Sequence, residues 1–106
     1  MINYNGRRFR STAEDSVIAR YQQQGNLVWA HFAGGDVRRG TVNGTCDAEG
    51  VLRLGYTMVL HDGEVICGYT RSTPIPGPDG RISLREEWRR YGPNAATGTS
   101  FLEELQ

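Results

Sequence analysis

The sequence predicts an all-β fold: a single small antiparallel up-and-down β-barrel that spans residues 1–106 and has about seven or eight strands. Segments that are rich in glycine and typical of turns recur along the whole chain, at 23–26, 33–36, 47–50, 61–64, 76–80 and 92–98. The runs between them are rich in Val, Leu, Tyr, Thr and Trp, as short antiparallel strands are. Helical periodicity is poor, and only residues 14–21 would suit a helix as well as a strand.

Composition argues against several classes of function. Twelve acidic side chains balance twelve basic ones, all of them arginine, and this zero net charge argues against a general nucleic-acid binder. No apolar run approaches the ~20 residues that span a bilayer, so we expect a cytoplasmic protein without a membrane partner. Two histidines are too few for a zinc site, and no glycine-rich loop leads into a helix, so we expect no metal and no cofactor. Cys46 and Cys67 lack metal-ligand spacing and are expected to be buried free thiols.

The turn at 23–26 predicts the first register. A two-residue turn centred on Gln24 and Gly25 would pair Tyr21 with Val28, and the apolar residues of both strands would then share the inner face. Trp29 and His31 would face outward, while an alternative register that buries both of them stays open.

The Asp62–Gly63 pair is the strongest hairpin signal, because a two-residue type I′ turn needs positive φ at both of its central residues. Such a turn pairs Leu60 with Val65. The more apolar face of this hairpin, which we predict to be the inner one, carries Leu52, Leu54, Tyr56, Met58, Cys67, Tyr69, Arg71 and Thr73. On the strand before this hairpin, either of two consecutive arginines could face inward.

The segment RISLREEWRRY, residues 81–91, is the most polar strand. Its even positions carry the apolar residues, so we predict that Glu86 and Trp88 point inward and that Glu87 points outward among arginines. A turn centred on Asn94 and Ala95 would place Glu103 of the last strand directly opposite Glu86, whereas a register that differs by two residues would keep Glu103 inside but offset it from Glu86. Two buried carboxylates can face each other only if a proton, a cation or an arginine intervenes.

Carboxylate, indole, phenol and guanidinium groups are therefore predicted to converge inside the barrel: Glu86, Glu103, Trp88, Tyr56, Tyr69 and Arg71. One interpretation is a structural Glu86–Arg71 ion pair that plugs the barrel. A second is a pocket for one small molecule, which barrels of this size commonly hold. In a third, Glu86 acts with Glu103 as general acid or base on a cyclic or carbonyl substrate. The exposed tyrosine, tryptophan and arginine side chains would also suit a homodimeric interaction module without a ligand.

Three segments resemble a family of small, mostly bacterial all-β proteins of unknown function: MINYNGRRFRS, HDGEVICGYTRSTP and DGRISLREEW. Such proteins are often labelled N-acetylglutamate synthase, which implies acetyl-CoA and glutamate as substrates. The resemblance also implies a calycin-type barrel that is similar to lipocalins and avidins in architecture. The function that we predict is binding of a small molecule inside the barrel near Glu86, with Tyr56, Tyr69, Arg71 and Trp88 as the ligand-binding residues.

Overall fold

A computed structural model of the protein describes residues 2–13 and 17–106. The described residues form eight strands, which run in sequence order around a closed antiparallel barrel, and the first strand is also hydrogen-bonded to the last. The strands are β1 (Arg8–Ser11), β2 (Ile18–Gln24), β3 (Leu27–Gly34), β4 (Val37–Cys46), β5 (Leu52–Leu60), β6 (Val65–Pro76), β7 (Ile82–Arg90) and β8 (Ala96–Leu105). A short 3-10 turn, Pro78–Gly80, lies between β6 and β7. No helix in the described ranges has the length and apolar character needed to cross a membrane.

The predicted all-β up-and-down barrel is confirmed. Of the segment whose conformation the sequence left undecided, the part from Ile18 onward is strand, and positions 14–16 lie outside the described residues. Alternation of buried and exposed residues along β2, β5 and β7 shows why these segments form strands, since every second side chain enters the core.

One end of the barrel is closed by the segment that precedes β1. Tyr4 is completely buried there, and its hydroxyl donates a hydrogen bond of 2.6 Å to the carbonyl oxygen of Gly50 in the β4–β5 connection. Its ring lies 6.4 Å from that of Phe9 and 6.2 Å from that of Tyr21, measured between centroids. Phe9 and Tyr21 meet edge to face at 5.3 Å, a favourable geometry for aromatic pairs. These three rings separate the closed end from the rest of the lumen.

The β2–β3 hairpin has the predicted inner face but a different register. Tyr21 is paired with Ala30 and not with Val28, because the two-residue turn is centred on Gly25 and Asn26. Gly25 adopts a positive φ of 59°, as the first central residue of a type II′ turn does. The shift is by two residues, so the same side chains stay inside, and Trp29 and His31 lie on the outer face.

A β-bulge resolves the inner face of β4. Val37 and Gly40 are both buried, while Arg38 and Arg39 between them are exposed. The pairing with β5 is irregular at this point, because one extra residue is inserted into β4. Both arginines therefore face outward.

The predicted register of the β5–β6 hairpin is wrong by one residue. Val59 is paired with Val65, and the loop contains three residues, His61 to Gly63, of which only Gly63 has a positive φ, at 92°. Loops of three residues typically combine a type I turn with a bulge at a left-handed glycine, which adds one residue to the connection. A shift by one residue reverses the faces of β6, so the predicted inward positions of Cys67, Tyr69, Arg71 and Thr73 are wrong, and Cys67 is an exposed thiol.

The register of the β7–β8 hairpin also differs from the predicted one by an odd number of residues. Its loop has five residues, Tyr91 to Ala95, and Glu86 is paired with Ser100 in place of Glu103. The even-numbered residues of β8 consequently face the interior. The faces of β7 are as predicted: Glu86 and Trp88 point into the barrel, and Glu87 points outward.

Tyr4 offers a test of how the closed end contributes to stability. We expect Tyr4→Ala to lower the free energy of unfolding by about 3–5 kcal/mol, because it removes a buried ring and leaves a cavity. Tyr4→Phe keeps the ring and loses only the hydrogen bond to Gly50, so it should cost about 1 kcal/mol. Urea denaturation of both variants measures the difference. Equal and small losses in both would show that the N-terminal segment does not close the barrel.

Candidate ligand-binding site

A cavity of about 240 Å³ occupies the part of the lumen beyond the three packed rings. Phe9 and Tyr21 form its floor, and Val37, Met58 and Arg90 lie near its mouth, at strand ends far from Tyr4. Its other lining residues are Ser11, Val17, Ala19, Phe32, Val42, Tyr56, Thr70, Glu86, Trp88, Ser100 and Leu102. The cavity is thus largely apolar, with a few polar groups, as small-molecule sites commonly are.

Three aromatic side chains of the cavity each lie against a glycine on the adjacent strand. The cross-strand pairs are Phe32 with Gly40, Tyr56 with Gly68, and Trp88 with Gly98. A Cβ atom at Gly40 or Gly98 would overlap the ring of its partner. One at Gly68 would overlap the backbone oxygen of Arg89 and would also come within 2.6 Å of the Tyr56 hydroxyl. Each glycine therefore provides the space in which a ring lies along the barrel wall. Rings held along the wall leave the centre of the lumen open.

Glu86 is held between two hydroxyl groups at one level of the barrel. Its cross-strand neighbours are Ser72 on β6 and Ser100 on β8. The Ser72 hydroxyl donates a hydrogen bond of 3.2 Å to Oε2 of Glu86, and the Ser100 hydroxyl lies close enough on the other side to lower the pKa of the carboxyl group. In the part of the chain that the structure describes, no arginine or histidine lies within ion-pair distance of this carboxylate.

Burial dominates the electrostatics of Glu86. Desolvation by the surrounding side chains raises the pKa of its carboxyl group to about 7 from 4.5, and the hydrogen bonds from Ser72 and Ser100 oppose this shift only in part. The same carboxylate contributes to the raised pKa of Tyr21, whose main cause is burial. Near neutral pH Glu86 can therefore hold a proton, release it, or be stabilised as an anion by a bound cation.

Thr70 is the second polar group without a complete set of partners. It is 5% exposed and lines the cavity two residues before Ser72, on the same face of β6. Its hydroxyl has no hydrogen-bond partner among the described residues. A buried hydroxyl without a partner costs about 1–3 kcal/mol. A ligand that hydrogen-bonds to Thr70 would remove this cost.

Arg90 lies near the mouth beside two of the aromatic rings. Its guanidinium carbon lies 5.4 Å from the centroid of the Trp88 ring, which is a cation–π geometry. The Tyr56 hydroxyl donates a hydrogen bond of 3.4 Å to the carbonyl oxygen of Arg89, and the nearby charge of Arg90 lowers the pKa of Tyr56 against the larger, raising effect of burial. Arg90 is four residues from Glu86 along β7, a separation of roughly 13 Å in an extended strand.

The structure brings together only half of the residues predicted for the site. Glu86, Tyr56 and Trp88 line the cavity. Tyr69 and Arg71 lie outside, in a groove on the outer face of β6, β7 and β8, where Arg71 Nη2 is 3.0 Å from Oε1 of Glu87. The predicted Glu86–Arg71 pair is therefore wrong.

Glu103 is also outside the cavity, so the predicted pair of facing carboxylates is wrong. It is exposed on the outer face of β8, with Oε1 2.7 Å from Nη2 of Arg10. The polar groups that the sequence reasoning missed are Thr70, Ser72 and Ser100. All three are at even-numbered positions of β6 or β8. These positions are predicted to face inward only if the loops before the two strands contain an odd number of residues.

No group of three or more His, Cys, Asp and Glu side chains in the described ranges is placed to hold a metal ion. A family model described as Avidin-like protein matches residues 2–105. No curated protein and no solved structure matches the chain. The description of the family says nothing of N-acetylglutamate synthase.

Gly98 should be intolerant of a side chain. We expect Gly98→Ala to lower the free energy of unfolding by about 1–3 kcal/mol, because the new methyl group forces the Trp88 ring off the wall. Gly55→Ala is the matched control: it also lies in a strand, but the nearest atom to its added Cβ is 4.0 Å away. That control should be neutral or stabilising by up to about 1 kcal/mol. Urea denaturation followed by tryptophan fluorescence measures both, and equal effects would contradict the pairing argument.

Glu86 should make stability depend on pH. Its pKa is raised in the folded protein, so its contribution to stability is fully present below about pH 4.5 and is lost as the pH rises through about 7. Glu86→Gln should therefore gain stability relative to the wild type between pH 5 and 8, by at most about 3 kcal/mol, which is the free-energy equivalent of a pKa raised from 4.5 to about 7. Glu87→Gln, on the outer face of the same strand, should show no such trend. Thermal unfolding at several pH values tests this, and parallel pH profiles of wild type and Glu86→Gln would contradict it.

Proposed function

Because this chain belongs to the avidin-like family, we propose that it binds one small organic molecule in the cavity of its barrel, beside Glu86. The proposal rests on two polar side chains of the cavity that lack partners within the chain. Thr70 has no hydrogen-bond partner there, and the Glu86 carboxylate has no cationic partner among the described residues. A polar group that is buried and unpaired destabilises a fold, so its presence in an open cavity points to a partner from outside the chain.

The arrangement of the cavity supports binding in a defined orientation. The apolar walls supply the area that a ligand buries, while Thr70 and Glu86 lie on neighbouring strands and provide directional hydrogen bonds. Because Ser72 and Ser100 hold the carboxylate from both sides, its position is set before the ligand enters. Such pre-organisation reduces the entropy lost on binding.

Proton transfer by Glu86 is the second candidate function, and its pKa of about 7 favours it, since a general acid or base works best near the operating pH. The partner that the sequence predicted for this chemistry, Glu103, lies outside the barrel. Glu86 would therefore act alone, or with the hydroxyl groups of Ser72, Ser100 and Thr70. Turnover of a bound compound by the wild type, but not by Glu86→Gln, would establish this activity.

Native mass spectrometry of protein purified from its own host tests the binding proposal. We expect the wild type to carry a small organic molecule as additional mass. Glu87→Gln should retain it, and Glu86→Gln should lose most of it, because the two variants make the same chemical change on opposite faces of β7. The same spectra report whether the chain is a monomer or a homodimer.

Two results would contradict the proposal. Equal retention of the molecule by both variants would place the ligand away from Glu86. Absence of additional mass, together with no saturation-transfer NMR signal from a library of small organic compounds, would show that the cavity is not a binding site.

A further inference from the structure

The cavity carries a negative site at its inner end and no positive group beside it. We propose that its ligand is a small organic cation, with an amine, amidine or guanidine group directed at Glu86 and a flat apolar body that lies among Phe32, Tyr56 and Trp88. This inference rests on the proposed function and names the chemical class of the ligand.

Among the residues that the structure describes, the inward-facing carboxylates Glu104 and Glu86 have different partners, and the contrast supports a cationic ligand. Glu104, at the closed end, has a side chain that is only 10% exposed. Its Oε1 accepts hydrogen bonds from Arg7 Nη1 at 2.7 Å and from the backbone N–H of Ile82 at 3.0 Å. Glu86 receives only two neutral hydroxyl donors. The chain therefore provides an arginine partner for Glu104, which has a structural role at the closed end. It provides none for Glu86, which faces the cavity.

The walls of the cavity suit the remainder of such a ligand. Aromatic rings that lie along the wall present their faces to the lumen, and these faces attract cations and stack on flat groups. The volume of about 240 Å³ lies below the ~300–1,000 Å³ of sites for drug-sized molecules, so a single substituted ring fits. Thr70 lines the same cavity, and its hydroxyl has no hydrogen-bond partner among the described residues.

Binding of a cation should strengthen as the pH rises, because Glu86 must be ionised to attract it. The titratable or charged groups that line the cavity in the described residues are Tyr21 on β2, Tyr56 on β5, and Glu86 and Arg90 on β7. Burial raises the pKa of both tyrosines, so they stay neutral, and the guanidinium stays charged. Between pH 5 and 9 only Glu86 changes its charge, and affinity should rise through about pH 7.

Three near-isosteric probes separate charge from shape: benzamidine, which is a cation, benzamide, which is neutral, and benzoate, which is an anion. Titrations followed by tryptophan fluorescence use a Trp29→Phe background, in which Trp88 is the only tryptophan left. We expect benzamidine to bind at least about tenfold more tightly than benzamide, as hydrogen bonds to charged groups are worth that much. Glu86→Gln should abolish this preference, and Glu87→Gln should leave it unchanged.

The alternative outcomes discriminate between this inference and the proposed function. Benzamide that binds as tightly as benzamidine, or benzoate that binds more tightly through Arg90, would overturn the preference for a cation and leave the cavity as a binding site. A preference for benzamidine that persists in Glu86→Gln would equally overturn the assignment to Glu86. If none of the three probes perturbs Trp88 at millimolar concentration, the inference of a flat cationic ligand fails, and native mass spectrometry of the wild type decides separately whether the cavity binds a ligand.

Discussion

The ladder between β1 and β8 is the interaction on which the enclosed lumen depends. β1 contains only four residues, yet its pairing with β8 closes the sheet and removes both of its edges. Ion pairs on opposite faces join the same two segments, Arg10 with Glu103 outside and Arg7 with Glu104 at the closed end. Exposed pairs contribute little on their own, so the half-buried Arg7–Glu104 pair is the more important one. Glu103, which the sequence suggested for catalysis, thus belongs to the closure of the barrel.

Two kinds of aromatic packing divide the enclosed lumen. At one end Tyr4, Phe9 and Tyr21 contact one another across the barrel and fill it. At the other end Phe32, Tyr56 and Trp88 pair with glycines, and the space they leave is the cavity. Aromatic residues therefore fill the lumen at one end, and at the other end they lie against glycines of the adjacent strands. The cavity is a consequence of where glycine occurs in the sequence and of the register that aligns it with a ring.

The same dependence on register explains how much could be predicted from the sequence. Alternation of apolar residues gave the correct faces of β5 and β7, and with them Tyr56, Glu86 and Trp88. The predicted faces of β6 and β8 depend on extending the register through a turn, and the prediction gives each of these turns two central residues. Their loops contain three and five residues, and each odd number reverses the face of the strand that follows. This single reason explains why the structure has Tyr69, Arg71 and Glu103 on the outer face, although the prediction placed them inside. Loop length depends on the φ angle that each turn residue adopts. Asp-Gly and Pro-Asn pairs limit the possible φ angles but do not determine them.

The odd loop between β5 and β6 also decides the charge of the cavity. With a two-residue turn, Arg71 would lie on the inner face and could neutralise Glu86. The third loop residue places Arg71 outside, where it pairs with Glu87, and brings Ser72 inside against Glu86. Adjacent residues of β6 thus supply a guanidinium to the outer carboxylate of β7 and a hydroxyl to the inner one. Asp62 does not adopt the positive φ that a type I′ turn requires, and only Gly63 does, so the backbone conformation of this turn determines whether the carboxylate in the lumen has an internal counterion. The electrostatic character of the site is therefore set by backbone geometry at a turn, and the residues that line the cavity could not reveal it until that turn was known.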